Sequence, residues 1–598
     1  MSKPKLHPDL DIKHAVEVLR TDYNQDFPVE YFIRDSASQS PQLFEIGLCF
    51  AGSVSAGAYL AGVADYLIEA WDCWEAARSQ NPSNTPPHRV RLNAMSGTSG
   101  GGMTALILAT SLSRGIQPAR AVNQRPPYSN NPPTFEENPL YGAWVKGIGI
   151  EHLLSNDDLA PDNAPVQSFL NSQRIASLAQ AALVSSGPKL ERNYLANPLH
   201  VGATIGNLNG FAYQFGLRSS SPYGYQARVH EDVVRFAVQR DGVLTPGTLP
   251  PLPNERKVNI SERPTDALIE RWPAEWRLVA QAAMATGAFP VGLLPRDVIR
   301  YWDECDPKIL PLSSGVDGRV ALLPAERTAP ATQDYSCLGV DGGTFNNEPF
   351  EIARTYLAGL LGSNARDGAT ASRAVIMVDP LVQPGGDAFE RLRPQDSLLG
   401  LIQGLVLRAF VNQGRTHLRE WSLAMADDIY SRYLLAPTKG MATGEDAICG
   451  SVLGAFGGFL SEAYREHDFR LGRRNCQRFL REHFNLPEAN PLFDGWTVAM
   501  KDSFRCRDGN LPIIPLVGGV VAEEPEPIWP APSEFETICD DVYKQIEKRV
   551  DRIYEKYTED LGWFARQYLG LGWKVLKPSL LKQVHTAIEK ALKEKKLY

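Results

Sequence analysis

At 598 residues, 43% hydrophobic and 22% charged, the chain has the composition of an ordinary globular protein. Its length exceeds what one core usually fills, so one large elaborated domain or two to three units is expected. The formal net charge of −8 argues against wholesale nucleic-acid binding and supplies no overall attraction to anionic lipid, while leaving room for a local basic surface. Eight cysteines lie scattered at 49, 73, 305, 337, 449, 476, 506 and 539 with no CxxC pair, so neither a metal site nor a redox motif is indicated and no cofactor is implied. The N-terminal MSKPKLHPDLDIKHAVEVLR lacks the apolar core of a signal peptide. No stretch approaches the ~20 apolar residues of a membrane-spanning helix, and a soluble, cytoplasmic protein is the expectation.

Taken in chain order, FEIGLCF (44–50) has the apolar run of a buried strand. After the small-residue loop AGSVSAG, the segment AYLAGVADYLIEAW (58–71) places apolar residues at helical spacing. A polar, proline-containing connector (79–88) leads to a second strand, RVRLNAMSG (89–97), and a second helix, GGMTALILATSL (101–112). Strand, glycine turn and helix, twice over, predict an α/β domain with a largely parallel sheet. Further strands are expected at 200–208, 212–218, 336–343 and 373–380, separated by irregular excursions rich in proline and asparagine at 124–139 and 243–254. Beyond about residue 390, strand signals fade. SLLGLIQGLVLRAFVNQGRTHLREW (397–421) and DDVYKQIEKRVDRIYEKY (540–557) follow helical periods, the latter with Val542, Ile546, Val550, Ile553 and Tyr557 on one face.

The turn between the second strand and helix, Gly97-Thr98-Ser99-Gly100-Gly101, fits G-x-S-x-G. A sharp strand-to-helix turn exposes a serine oxygen, the glycines relieve clashes that β-carbons would create, and the helix N-terminus directs partial positive charge at that oxygen. No lysine follows these glycines, which excludes a P-loop, and neither turn carries a dinucleotide fingerprint. A serine nucleophile needs a base. In CLGVDGG, Asp341 stands at the C-terminal end of a predicted strand, on the edge where α/β sites form, followed by Gly342 and Gly343. Asp-Gly is also a common turn dipeptide, so a plain turn is the competing reading. An oxyanion hole requires converging backbone N–H groups, which the loop Gly52-Ser53-Val54-Ser55-Ala56-Gly57 can supply.

In this order, a glycine-containing loop, G-x-S-x-G and D-G-G resemble the patatin-like phospholipase family. AAMATGAFPVGLLP (282–295) and DGGTFNNEPFEIA (341–353) are similar to further segments of that family. The resemblance implies a three-layer α/β/α sandwich with a mostly parallel central sheet, extended by a large helical C-terminal region. It implies Ser99 as nucleophile, Asp341 as general base and no histidine. It also implies an oxyanion hole built from Gly52, Ser53, Val54 and Gly100, with Gly97, Gly101, Gly342 and Gly343 as motif glycines. The implied activity is hydrolysis of fatty-acyl esters, with a lipid or phospholipid substrate. The division it suggests is an N-terminal extension (1–42), a catalytic domain (43–390) with insertions at about 115–200 and 219–275, and a helical region (391–598). One departure stands out: the family's usual loop is G-G-G-x-R-G, whereas here Ser53 and Val54 replace glycines and Ala56 takes the arginine's place.

Besides transfer of the acyl group to an acceptor other than water, which passes through the same acyl-serine, two other readings remain. His417, His467 and His483 follow Asp341 in the order of a Ser–Asp–His hydrolase, although each sits in a polar helical segment where a surface histidine is the plainer expectation. A patatin-like scaffold that binds lipid or protein without catalysis is the other. The C-terminal KVLKPSLLKQVHTAIEKALKEKKLY has seven lysines against two glutamates, with Leu581, Val584, Ile588, Ala591 and Leu592 near one face. Such a tail is suited to peripheral membrane contact, or is a solvated terminal helix. LLGLIQGLVLRAF (398–410) reads as a core helix or as the lining of an acyl channel.

Overall fold

The computed structural model describes residues 26–34, 41–159, 165–184, 187–215, 225–305, 308–311, 319–322, 334–382, 426, 428–531 and 535–558, and after them 573, 577–578, 581–582, 585–586, 588–590 and 592–593. His417 and the segment 398–410 lie outside the described residues.

A nine-stranded mixed sheet organises the chain. Its strands are β1 (Leu43–Phe50), β2 (Arg89–Gly97), β3 (Leu195–Phe215), β4 (Tyr225–Gln239), β5 (Arg256–Asn259), β6 (Arg296–Tyr301), β7 (Asp334–Asp341), β8 (Arg373–Val378) and β9 (Arg432–Leu435). The order is β9-β8-β1-β2-β3-β4-β5, with β7 pairing both β3 and β6. The strands from β9 to β3 are mutually parallel, while the β3–β4, β3–β7 and β6–β7 pairs are antiparallel.

β1 is buried on both faces, as a central parallel strand between helical layers must be. Phe44, Ile46, Leu48 and Phe50 join the core beneath α1 (Gly57–Gln80), whereas Cys49 packs with Phe350, Ala353 and Leu357 of α5 (Phe350–Ala358) on the opposite face. This is the period-two alternation of a strand dividing its residues between two layers. α2 (Gly100–Ser111) and α4 (Ala274–Thr286) join the α1 side, and α3 (Gln173–Val184) packs against both. The result is the three-layer α/β/α sandwich.

At the N-terminal ends of β1, β2 and β8, the fully buried Glu45 accepts from Arg34 (3.3 Å), Arg91 (2.6 Å), Arg373 (2.8 Å) and Asn93. Burial alone would raise its carboxyl pKa, but the three guanidinium groups outweigh it and hold the pKa below the usual value. The ion cluster therefore staples three parallel strands at the edge opposite the glycine turns.

One expectation is corrected here. The segments 200–208 and 212–218 are not separate strands. Residues through 215 form the single strand β3, whose register against β4 shifts between Gly206 and Phe211. Asn207 Oδ1 accepts the amides of Asn209 and Gly210, and Gly210 has φ 62°, so these residues make a bulge that bends the strand without ending it.

The C-terminal helical region packs on the core and adds one strand to it. β9 extends the sheet at its edge, and α6 (Glu462–Glu482) lies on α1. The α1–α6 crossing is a close backbone approach: a β-carbon on Gly62 would lie 2.0 Å from Phe469 O, and one on Gly472 would lie 2.3 Å from Tyr59 O. α6 is built from REHDFRLGRRNCQRF yet is mostly buried, its charges satisfied internally. Arg473 pairs with Asp65, Glu69 and Glu524, and Arg470 pairs with Glu466.

In α7 (Phe535–Thr558), Val542 and Ile553 are buried but Tyr557 is 66% exposed and leaves the predicted face. Leu592 and Leu581 are 0% and 3% exposed, and Lys577 pairs with Glu547 and Asp551. Leu581 and Leu592, two of the apolar residues on the tail's expected face, are therefore buried against the rest of the protein. No helix among the described residues is long and apolar enough to cross a membrane.

Candidate active site

β3 explains how two residues far apart in sequence meet. Its first half pairs with β2 as far as Gly97↔Ala203, and two residues on, Ile205 pairs with Asp341 at the end of β7. The turn leaving β2 and the end of β7 thus stand side by side on one support. Ser99 Oγ donates to Asp341 Oδ2 at 2.6 Å, and Gly343 N–H donates to Asp341 Oδ1 at 2.7 Å.

Ser99 is the N-cap of α2 with φ 55° and ψ −130°, a strained backbone for a residue with a β-carbon. Close neighbours hold it there. Its amide donates to Thr286 Oγ1 at 2.9 Å, and Thr98 Oγ1 donates to Asn346 O at 2.7 Å. A β-carbon on Gly101 would lie 2.3 Å from Phe50 O, so only glycine lets α2 start this close to β1. Thr286, from the AAMATGAFP segment, is a contributor that sequence reasoning missed; no motif marks a threonine whose role is to accept one amide.

Asp341 is 4% exposed. Burial pushes its pKa from 3.8 up to about 6, against the hydrogen bonds from Ser99 and Gly343, which act to lower it. A carboxylate in this state is a better proton acceptor than an exposed aspartate, yet remains mostly ionised at neutral pH.

The four expected oxyanion positions do not behave alike. Gly52 N–H donates to Asn347 O at 2.9 Å and so is not directed at the serine, which corrects its expected role. Ser53 is fully buried and is not among the cavity's lining residues; its hydroxyl has no hydrogen-bond partner among the described residues. Val54 and Gly100 both line the cavity beside Ser99 and Asp341. Each is the first residue of a helical turn, so its N–H has no partner within that turn. Val54 adopts φ 47°, the left-handed backbone that a glycine would take without strain.

The cavity in front of the serine is narrow, about 50 Å³, and almost entirely apolar. Its walls include Met103 of α2, Trp144 and Leu178 from the segment between α2 and β3, Phe289, and Phe456 and Phe459 from the C-terminal region. The segment between α2 and β3 therefore covers the serine turn. No histidine lines the cavity among the described residues. His467 is fully buried in α6, bonded to Asp468 (2.9 Å) and near Cys449 Sγ (3.4 Å), which corrects its expected surface position; burial holds its pKa below 6.5. His483 is exposed at the end of α6.

Cys449, His467 and Asp468 bring three ligand-type atoms within 4.8 Å of one another. Asp468 is already engaged, its two oxygens accepting the amides of Cys449 (2.8 Å) and Gly450 (2.7 Å), so the group anchors a loop.

The profile of the family described as patatin-like phospholipase matches residues 48–354. A protein of Sinorhizobium fredii (strain NBRC 101917 / NGR234), described as uncharacterized protein y4iI, is 33% identical over 570 residues, covering 90% of this chain and 79% of the relative. The chain belongs to the patatin-like phospholipase family. A solved structure of VipD from Legionella pneumophila aligns over 91% of this chain and 83% of its own at 13% identity, with a TM-score of 0.19. The matched segment of this patatin-like chain ends inside α5, so β8, β9, α6 and the cavity residues Phe456 and Phe459 lie beyond it.

Proposed function

We propose that this patatin-like protein is a serine acyl hydrolase that cleaves fatty-acyl esters of lipids through a Ser99–Asp341 dyad. The observation that carries the reading is the 2.6 Å Ser99 Oγ–Asp341 Oδ2 hydrogen bond in the wall of an apolar cavity that no histidine lines among the described residues. Asp341 takes the hydroxyl proton as Ser99 Oγ attacks the ester carbonyl. The oxyanion that forms is held by the amides of Val54 and Gly100 and by the N-terminal field of α2. Asp341 hands that proton to the departing oxygen as the intermediate collapses, which releases the alcohol portion, a lysolipid or glycerol derivative, and leaves an acyl-serine with Asp341 ionised again. Water deprotonated by Asp341 then attacks the acyl carbonyl and frees the fatty acid, returning the proton to the serine oxygen. The apolar walls suit the acyl chain and exclude bulk water from the dyad.

The test is release of free fatty acid from a mixed lipid panel, read by mass spectrometry, together with labelling by a fluorophosphonate. The wild type should release fatty acid and take label, and Ser99→Ala should do neither. Hydrolysis surviving in Ser99→Ala would overturn the reading. A wild type that takes no label would favour a non-catalytic lipid-binding scaffold, the reading to which the strained Val54 loop lends support.

A further inference from the structure

We propose that residues 449–459, outside the segment matched by the family, complete the active site, and that Ser55 is the positioning residue through which they hold the Val54 amide in place. The inference rests on the Ser99–Asp341 reading and concerns what orients its oxyanion loop.

Ser55 follows Val54 directly and is 1% exposed. Its side chain turns away from the serine turn into the C-terminal loop. Ser55 Oγ donates to Ala455 O at 2.5 Å and accepts from Gly458 N–H at 2.9 Å, with Gly450 O at 3.3 Å. One hydroxyl thus bridges both limbs of a loop some 400 residues away in sequence. The approach is close enough to require glycines on the loop side, since a β-carbon on Gly458 would lie 2.7 Å from Ser55 Oγ.

Both segments carry strained residues. Val54 has φ 47°, and Leu453 and Ala455, on either side of Gly454, have φ 57° and 72°. A β-branched residue in the left-handed region is an outlier that persists only where the surroundings over-determine it. Here they do. The loop is anchored to α6: Asp468 accepts the amides of Cys449 and Gly450, and Arg465 donates to Gly458 O at 2.9 Å and to Val145 O at 2.8 Å. Val145 follows the cavity residue Trp144, so α6 ties together the cavity wall and the loop that clamps Ser55. The same loop supplies Phe456 and Phe459 to the cavity.

A glycine-rich oxyanion loop reaches a left-handed conformation without help. This chain has Val54 there and makes up the difference with Ser55 and a partner loop from its own C-terminal region. α6 is accordingly part of the catalytic architecture, which gives the buried charged helix a role.

In the full-length protein, Ser55→Ala should stay folded by circular dichroism, lose at least tenfold in kcat on a soluble p-nitrophenyl ester, and keep KM within twofold. That split marks an interaction made in the transition state and not in ground-state binding. Fluorophosphonate labelling of Ser99 should slow in parallel. Gly458→Ala, whose methyl would press on Ser55 Oγ from the opposite side, should show the same split and decides the matter if Ser55→Ala does not fold. A folded variant with kcat within twofold of wild type, or one that raises KM with kcat unchanged, overturns the proposal. Loss of the Ser99–Asp341 reading is seen separately, as hydrolysis that survives Ser99→Ala.

Discussion

Replacing Asp341 by asparagine should make the protein more stable and nearly inactive, and the stability gain should depend on pH. The carboxyl has its pKa raised from 3.8 to about 6 because burial penalises its charged form. Below about pH 4 it is protonated in both folded and unfolded chains and the shift has no effect on stability. Between about pH 4 and 6 the folded state holds the proton more tightly than the unfolded state, so wild-type stability falls as pH rises. Above about pH 6 the whole penalty is present, and a rise from 3.8 to about 6 corresponds to about 3 kcal/mol.

Asparagine carries no charge to desolvate, and its carbonyl still accepts Gly343 N–H, so most of that energy should be recovered. With an unfolding entropy of about 2.1 cal/mol/K per residue, a 598-residue chain gains only about 2 °C in Tm from 3 kcal/mol. Melting of both proteins across pH 4 to 8 is the assay. The gap should be near zero at pH 4, open through pH 5 to 6 and stay constant above, while kcat drops by at least ~10²-fold. A pH-independent gap, or an Asp341→Asn protein less stable than wild type at pH 8, would refute the claim that Asp341 is a buried, destabilised base. In the wild type, kcat/KM should rise with pH through an apparent pKa near 6, because the ionised form accepts the proton; a flat profile between pH 5 and 7 would contradict this.

Thr286→Val removes the acceptor of the Ser99 amide at nearly constant volume. It should cost about 1–3 kcal/mol for the orphaned N–H and lower kcat more than it raises KM, measured by denaturant unfolding and initial rates. Leu592→Ala, at a position 0% exposed, should lower stability by about 2–4 kcal/mol and leave vesicle partitioning in a flotation assay unchanged. Loss of vesicle binding without loss of stability would instead return the C-terminal tail to the membrane.

Much of the site was legible because its signals are local. A strand ending in G-x-S-x-G, followed by apolar residues at helical spacing, encodes the turn, and β2 and α2 lie where the patterns put them. The aspartate ending β7 was equally readable. The division of labour in the oxyanion loop was not, because backbone N–H groups look the same in every sequence. Only the fold shows Gly52 donating to Asn347 O while Val54 and Gly100 face the cavity. His467 and α6 were misread for a related reason. REHDFRLGRRNCQRF is polar enough for a surface helix, and its burial depends on acids at Asp65, Glu69 and Glu524, distant in sequence, that meet its arginines only after folding.

The sequence by itself determined the parallel α/β core, the serine turn and the identity of the aspartate that could serve it, since these follow from periodicity, glycine geometry and residue chemistry within short windows. Tertiary structure alone decided that Ser99 and Asp341 meet, through β3 pairing with both β2 and β7. It also decided that the segment between α2 and β3 and the C-terminal loop line the cavity, and that a valine adopts a glycine's backbone beside the serine. Those outcomes depend on contacts between segments hundreds of residues apart, and no local pattern encodes which distant partner will supply the missing hydrogen bond or wall.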